Sequence, residues 1–217
     1  MQPRSPVIVF GTGEFAEVAA YYLAKDGNYD VSAFTVDRNH MDSQSMQGKP
    51  IVAFEDIEKH FPPTKYKMFI AVGFSQQNAT RALKYDQAKS KGYELITYVC
   101  SKAIVWDNVE LGDNCFVFEA NVIQPFVKIG NDVIIWSGNH IGHHTTIADH
   151  CFIASHAVIS GKVKIQQSCF IGVNATIRDG ITIAKGCVIG AGALIIKDTE
   201  PNCVYGGTPA NLLRRLA

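Results

Sequence analysis

Five of the chain's seven histidines, His140, His143, His144, His150 and His156, crowd into one stretch that opens Asn139-His140-Ile141-Gly142-His143-His144. Imidazoles at this density point to two chemistries: a metal held by several ring nitrogens, or a general base that titrates near neutral pH. The periodicity around them decides. Every sixth residue from Leu111 and Val117 to Ile189 and Ile195 is aliphatic, without exception. A period of six fits neither a helix nor a lone strand, so it reads as a coil of hexapeptide steps. If three steps close one turn, Leu111, Ile129, Ile147, Ile165 and Ile183 stack along one side, with about five coils over residues 109–200. His144, His150 and His156 then lie on three different sides, and no two histidines are one coil apart. A single prism cannot converge such ligands on a tetrahedral ion, and no metal is expected. His143 and His144 fall near a coil corner. Gly161, one whole coil after His143, would set a bare main-chain N–H against that imidazole. A base beside an unhindered amide is the minimum arrangement for acyl transfer, one group taking a proton and the other holding an oxyanion.

A second motif lies near the start. Val7-Ile8-Val9-Phe10 reads as a short buried strand, Gly11-Thr12-Gly13-Glu14-Phe15-Ala16 as a glycine turn opening a helix to about Lys25, and residues 31–36 as a strand ending in Asp37. Two glycines of the dinucleotide fingerprint are kept, alanine replaces the third, and Asp37 stands where an acid meets a ribose. A further strand over 67–72 runs into Gly73 and Phe74, a helix is expected over 77–91, and a last strand over 94–99. The domain is short and lacks a second mononucleotide-binding half, which favours a nucleotide diphosphate over a dinucleotide. Residues 38–49 read as a surface loop and Pro62-Pro63 as a turn.

The expected organisation is therefore an α/β, Rossmann-like βαβαβ domain over residues 1–100, a parallel β-helix over 101–200 and a tail over 201–217. Cys115, Cys151, Cys169 and Cys187 share one repeat phase and should line an interior column as packing thiols. Asn121 and Asn139, also in phase, predict an internal amide ladder, and Trp136 and Phe118 a contact with a neighbouring subunit. Twenty basic and twenty acidic residues cancel, which leaves no field to gather nucleic acid or an anionic membrane. The opening MQPRSPVIVFGTG has too short an apolar run for a signal peptide, and no stretch is long and apolar enough to span a bilayer, so a cytoplasmic protein is expected.

From Val7-Ile-Val-Phe-Gly11 through Ile70-Ala-Val-Gly73 and the hexapeptide array to Gly207-Thr-Pro-Ala210, the chain resembles the sugar acyltransferases of bacterial glycan synthesis. These comprise the bacillosamine-pathway and perosamine N-acetyltransferases and the sialic acid O-acetyltransferase group. The resemblance implies a homotrimer of left-handed β-helices, with acetyl-CoA as co-substrate in the cleft between prisms and a nucleotide-linked amino sugar on the N-terminal domain. It carries the catalytic base onto His143 and the oxyanion amide onto Gly161, with His144 where the family usually has an acid. Nucleotide-sugar contacts fall on Gly11, Thr12, Gly13, Glu14, Phe15, Asp37, Arg38, Gly73 and Phe74. Acetyl-CoA contacts fall on Phe152, Ser160, Gly161, Val173 and Ala191. The rivals are a sugar O-acyltransferase, a zinc hydratase of the γ-carbonic anhydrase type, which the repeat phase opposes, and a non-catalytic trimeric scaffold.

Overall fold

A computed structural model describes residues 4–216. The chain divides into two compact units, residues up to 73 with 80–98, and residues 74–79 with 99 onward.

The first unit is built on a five-stranded sheet. β1 (Ser5–Phe10) is followed by α1 (Glu14–Lys25), β2 (Tyr29–Val36), β3 (Ser45–Met46), β4 (Lys49–Ala53), the short α2 (Ile57–His60), β5 (Lys67–Ile70) and α3 (Ala79–Ser90). The spatial order is β3-β4-β2-β1-β5, parallel except for the β3–β4 hairpin. α1 buries Ala16, Ala19, Ala20 and Leu23, a stripe at helical spacing whose small side chains let the helix lie close on the sheet. Its acids sit in the first turn and Lys25 in the last, as the helix dipole favours.

Two expectations need correction here. The segment 38–49 is not all loop: Gln47 and Gly48 both take positive φ, the two-residue turn of a tight hairpin, and β4 then joins the sheet beside β2. Pro50 disguised β4, but proline is tolerated here because its partner is the short edge strand β3. Of the strand expected over 94–99, only a Leu95 bridge to Met68 and the two-residue strand Tyr98–Val99 form.

The second unit is a triangular coil of two-residue strands recurring every six residues, each pairing in parallel with the strand one coil on. Ile129, Ile147, Ile165 and Ile183 stack as the phase requires, and these aliphatics form one continuous buried core. The coil starts before Leu111, with Ala103 and Val105 packed against that core. Cys115, Cys151, Cys169 and Cys187 are buried in its interior. A hydrogen bond with Cys151 and burial push the Cys169 thiol far above its ordinary value. The amide ladder forms as well: Asn139 N–H donates to Asn121 Oδ1 at 3.0 Å, and Ala157 N–H to Asn139 Oδ1 at 2.7 Å. Phe118 and Trp136 stack on one another at 4.5 Å, with Phe118 buried, so the expected neighbour-facing role fails for Phe118. After the array, Cys203–Gly207 and Ala210–Arg215 add an antiparallel pair to one sheet. Among the described residues no helix is long and apolar enough to cross a membrane.

Candidate active site

The corner Gly142-His143-His144 is pinned by its backbone and open at its rings. A Cβ on Gly142 would lie 2.6 Å from the Gly161 nitrogen, so only glycine lets the two coils approach. His143 N–H donates to Gln124 Oε1 at 2.9 Å, His143 C=O accepts from Lys162 N–H at 2.9 Å, and His144 turns the corner at φ 60°. Both rings are exposed. The His143 ring lies over Gly161: a Cβ built there would stand 2.8 Å from both Cε1 and Nε2. On its other side, His143 Nδ1 meets His144 Nδ1 at 3.2 Å, and the His144 ring rests on Phe126, centroids 4.8 Å apart. With the shared proton on His143 Nδ1, the Nε2 lone pair is free to act as a base.

The expected oxyanion donor is already engaged. Gly161 N–H donates to Asp179 Oδ1 at 2.9 Å, so an acyl carbonyl reaches that amide only when Asp179 releases it. Asp179 lies one coil after Gly161, and the repeat uses the same device elsewhere: Asn131 Oδ1 accepts from Asp113 N–H at 3.0 Å, and Asp149 Oδ1 from Asn131 N–H at 2.7 Å. A short polar residue one coil downstream was the signal.

The expected acetyl-CoA set divides. Ser160 and Gly161 adjoin His143. Val173, 43% exposed, and Ala191, also exposed, line a different corner, one coil apart from each other. Phe152 is buried, its ring stacked on Phe170 at 5.5 Å and close to Phe74 and Trp136, so it has no open face for a ligand.

In the first unit, a cavity of about 300 Å³ gathers Gly11, Gly13, Phe15, Asp37 and Gly73 of the expected set. Gly11 has φ +124°, and a Cβ there would strike the Ala71 carbonyl oxygen at 2.7 Å, so the turn demands glycine. Gly13 caps α1 with no side-chain hydrogen bond and open space above it, which leaves the helix N-terminus suited to an anion. The other residues point elsewhere. Thr12 lines a separate cavity with Met41 and Ser43. Glu14 is exposed on the first turn of α1. Arg38 pairs with Asp56 on the rim of a larger cleft of about 910 Å³. Lys59 first, then Arg38, hold the Asp56 carboxyl below its usual range. Phe74 belongs to the second unit, its ring 4.3 Å from Phe170. Sequence reasoning missed Lys84, which reaches Asp37 Oδ1 at 2.6 Å and Gln87 Oε1 at 2.9 Å and lines both the smaller cavity and the larger cleft.

The remaining histidines disperse. His144, His150 and His156 sit at three separate corners, each donating its main-chain N–H to the turn carbonyl of the corner one coil back, those of Pro125, Asn131 and Ser137. Among the described residues no three metal-ligating side chains cluster. His150 staples its corner instead: Nδ1 lies 2.8 Å from Asp132 Oδ2, and Asn114 Nδ2 donates to Asp132 Oδ1 at 2.7 Å.

The fold is a coil of hexapeptide repeats preceded by an α/β domain. Residues 6–99 match the model of the PglD N-terminal domain, and residues 121–161 and 162–197 that of the bacterial transferase hexapeptide (six repeats). The two matches follow one another along the chain in the order of its two compact units. Among solved structures it is similar to a histidine-to-asparagine variant of perosamine N-acetyltransferase from Caulobacter crescentus in complex with CoA and GDP-perosamine, with TM-score 0.88, 23% identity and 96% of each chain covered. It is similar also to the acetyltransferase domain of PglB from Neisseria gonorrhoeae FA1090, with TM-score 0.87, 24% identity, and 97% of this chain and 100% of that one covered. A third is WeeI from Acinetobacter baumannii AYE, with TM-score 0.84, 20% identity, and 96% and 100% covered. These likenesses give the fold of the coil as a left-handed parallel β-helix behind an α/β domain. No curated protein matches the sequence.

Proposed function

We propose that the chain is an acetyl-CoA-dependent N-acetyltransferase acting on a nucleotide-linked amino sugar. One observation carries the reading: an exposed imidazole, His143, lies over the bare backbone of Gly161 and is braced through Nδ1 by His144 at 3.2 Å. The amine nitrogen attacks the thioester carbonyl, and His143 Nε2 takes the proton that the amine must lose. The tetrahedral oxyanion finds the Gly161 N–H once Asp179 has let it go. The C–S bond then breaks, and the thiolate leaves with the proton returned by the imidazolium. His144 in place of a carboxylate stabilises that imidazolium less but fixes the same tautomer.

The α1 N-terminus beside Gly11 and Gly13 suits a diphosphate, and Asp37, with Oδ1 held by Lys84 and Oδ2 4.0 Å from His40 Nδ1, is placed to accept from a ribose hydroxyl. The perosamine N-acetyltransferase structure holding CoA and GDP-perosamine supports both substrates.

A homotrimer fits the outward faces. The row Ile104, Val122, His140, Val158, Thr176, Leu194 on one sheet is mostly apolar, with Ile104 60% and Val158 42% exposed. The row Glu110, Lys128, Thr146, Lys164, Thr182 on the next is polar. An exposed apolar strip of this kind favours burial against another copy, which would bring a second chain's Val173 and Ala191 towards His143. The substrates are cytoplasmic metabolites, and the reading carries that location with it.

The test is thiol release from acetyl-CoA across UDP-, dTDP- and GDP-linked amino sugars and their hydroxy counterparts. Transfer to an amine supports the reading. Transfer to hydroxyls alone would favour the O-acyltransferase, and none at all would sink both.

A further inference from the structure

The two sides of His143 along the coil axis are chemically unlike. One coil on lies Gly161, with no side chain, then Asp179 and Lys197 at the same corner position. One coil back lies Pro125, followed by Phe126, which stands one coil before His144, is 55% exposed and sets its ring against His144 at 4.8 Å. Trp106, also 55% exposed, precedes the same corner another coil back.

Phe126 is out of place by every local rule. From Asn114 to Gly192 the second residue of each corner turns through the left-handed region, and apart from Phe126 it is Asn, Asp, His, Lys, Ser, Ala or Gly. Phe126 takes φ +66° there, and among the described residues it is the one large apolar side chain that does so. A bulky ring strains this backbone conformation, which glycine and asparagine adopt readily. Its exposure means that no core packing within the chain offsets the cost. Strain kept at an exposed position next to a catalytic group marks a side chain held for a ligand.

We infer that Phe126 is a substrate-positioning residue, its ring forming the platform on which the pyranose of the acceptor stacks, so that acceptor and acyl donor approach His143 from opposite ends of the corner. This rests on the acetyltransferase reading above. A pyranose presents a face of C–H groups, and an exposed aromatic ring is the partner that such a face takes. The thioester needs bare backbone near its carbonyl, which only the Gly161 side gives: a methyl group there would already sit 2.8 Å from the imidazole.

The experiment compares wild type with Phe126→Asn and Phe126→Tyr, using acetyl-CoA and whichever nucleotide-linked amino sugar of the panel the wild type turns over. Asparagine relieves the backbone and removes the ring. The melting temperature should hold or rise while the acceptor KM climbs about tenfold, the worth of one good ring stack, with the acetyl-CoA KM and kcat near wild type. Tyrosine should keep the acceptor KM. Three results would overturn the inference: an acceptor KM unchanged in Phe126→Asn, a fall in kcat alone, which would make the ring a mere prop for His144, or loss of the oligomer. A wild type that turns over no amino sugar would overturn the acetyltransferase reading itself, so the two failures are told apart.

Discussion

Replacing Gly161 by alanine should disarm the site without harming the fold. The new methyl carbon would start 2.8 Å from His143 Cε1 and Nε2, whereas unstrained carbon contacts lie at 3.5–4.0 Å, so the imidazole must retreat by about 0.7 Å or more. It cannot do so and keep its 3.2 Å contact with His144 Nδ1. Misplacement of a catalytic group by about 1 Å costs about 10²-fold in rate. The backbone at Gly161 is outside the left-handed region, and alanine in such a place gains about 0.4–1 kcal/mol through the unfolded chain. The clashing atoms belong to an exposed ring that can swing aside, so the melting temperature should stay within a few degrees of wild type. Gly142→Ala is the control with the opposite sign: its methyl would meet the Gly161 nitrogen and the Ser160 carbonyl carbon at 2.6 Å, atoms that cannot move alone, costing about 1–3 kcal/mol as overpacking does. Thiol release from acetyl-CoA and thermal melts on both variants read the two effects separately. Wild-type turnover by Gly161→Ala would refute the placement of the reaction over that residue.

Two further outcomes follow from buried charges. Lys84→Met leaves the Asp37 carboxylate without its ammonium partner at 2.6 Å; steady-state kinetics should show the nucleotide-sugar KM up about tenfold, with kcat and the acetyl-CoA KM unchanged. Asp132→Ala strips partners from both His150 and Asn114. Breaking so buried a pair costs about 3 kcal/mol, visible by thermal denaturation, while kcat per folded enzyme stays the same because that corner is remote from His143 in the repeat.

The β-helix was legible because one period governs it. Once Leu111 to Ile195 fixed the phase, the pairing of Ile147 with Ile129 and Ile165, the cysteine column and the Asn121–Asn139 ladder all followed, as did the meeting of His143 with Gly161. What escaped came from groups whose partners have no fixed offset. Lys84 reaches Asp37 from a helix that sequence spacing does not dock, and Phe74 leaves the unit that precedes it in the chain to stack on Phe170. β4 was masked by Pro50 and by a hairpin turn of Gln47 and Gly48 without the usual Asn-Gly pair. Asp179 was readable in principle, one coil beyond Gly161, but a solvent-facing aspartate gives no sign of which amide it will cap until neighbouring corners are seen to do likewise.

The central claim is that His143 takes the proton in acyl transfer. Turnover of His143→Ala with acetyl-CoA and the amino sugar, measured on protein whose melting temperature and oligomeric state match the wild type, tests it directly. The account predicts a loss of about 10²-fold or more, the range of general-base catalysis, since the exposed ring carries little of the fold. Turnover near that of the wild type would contradict it.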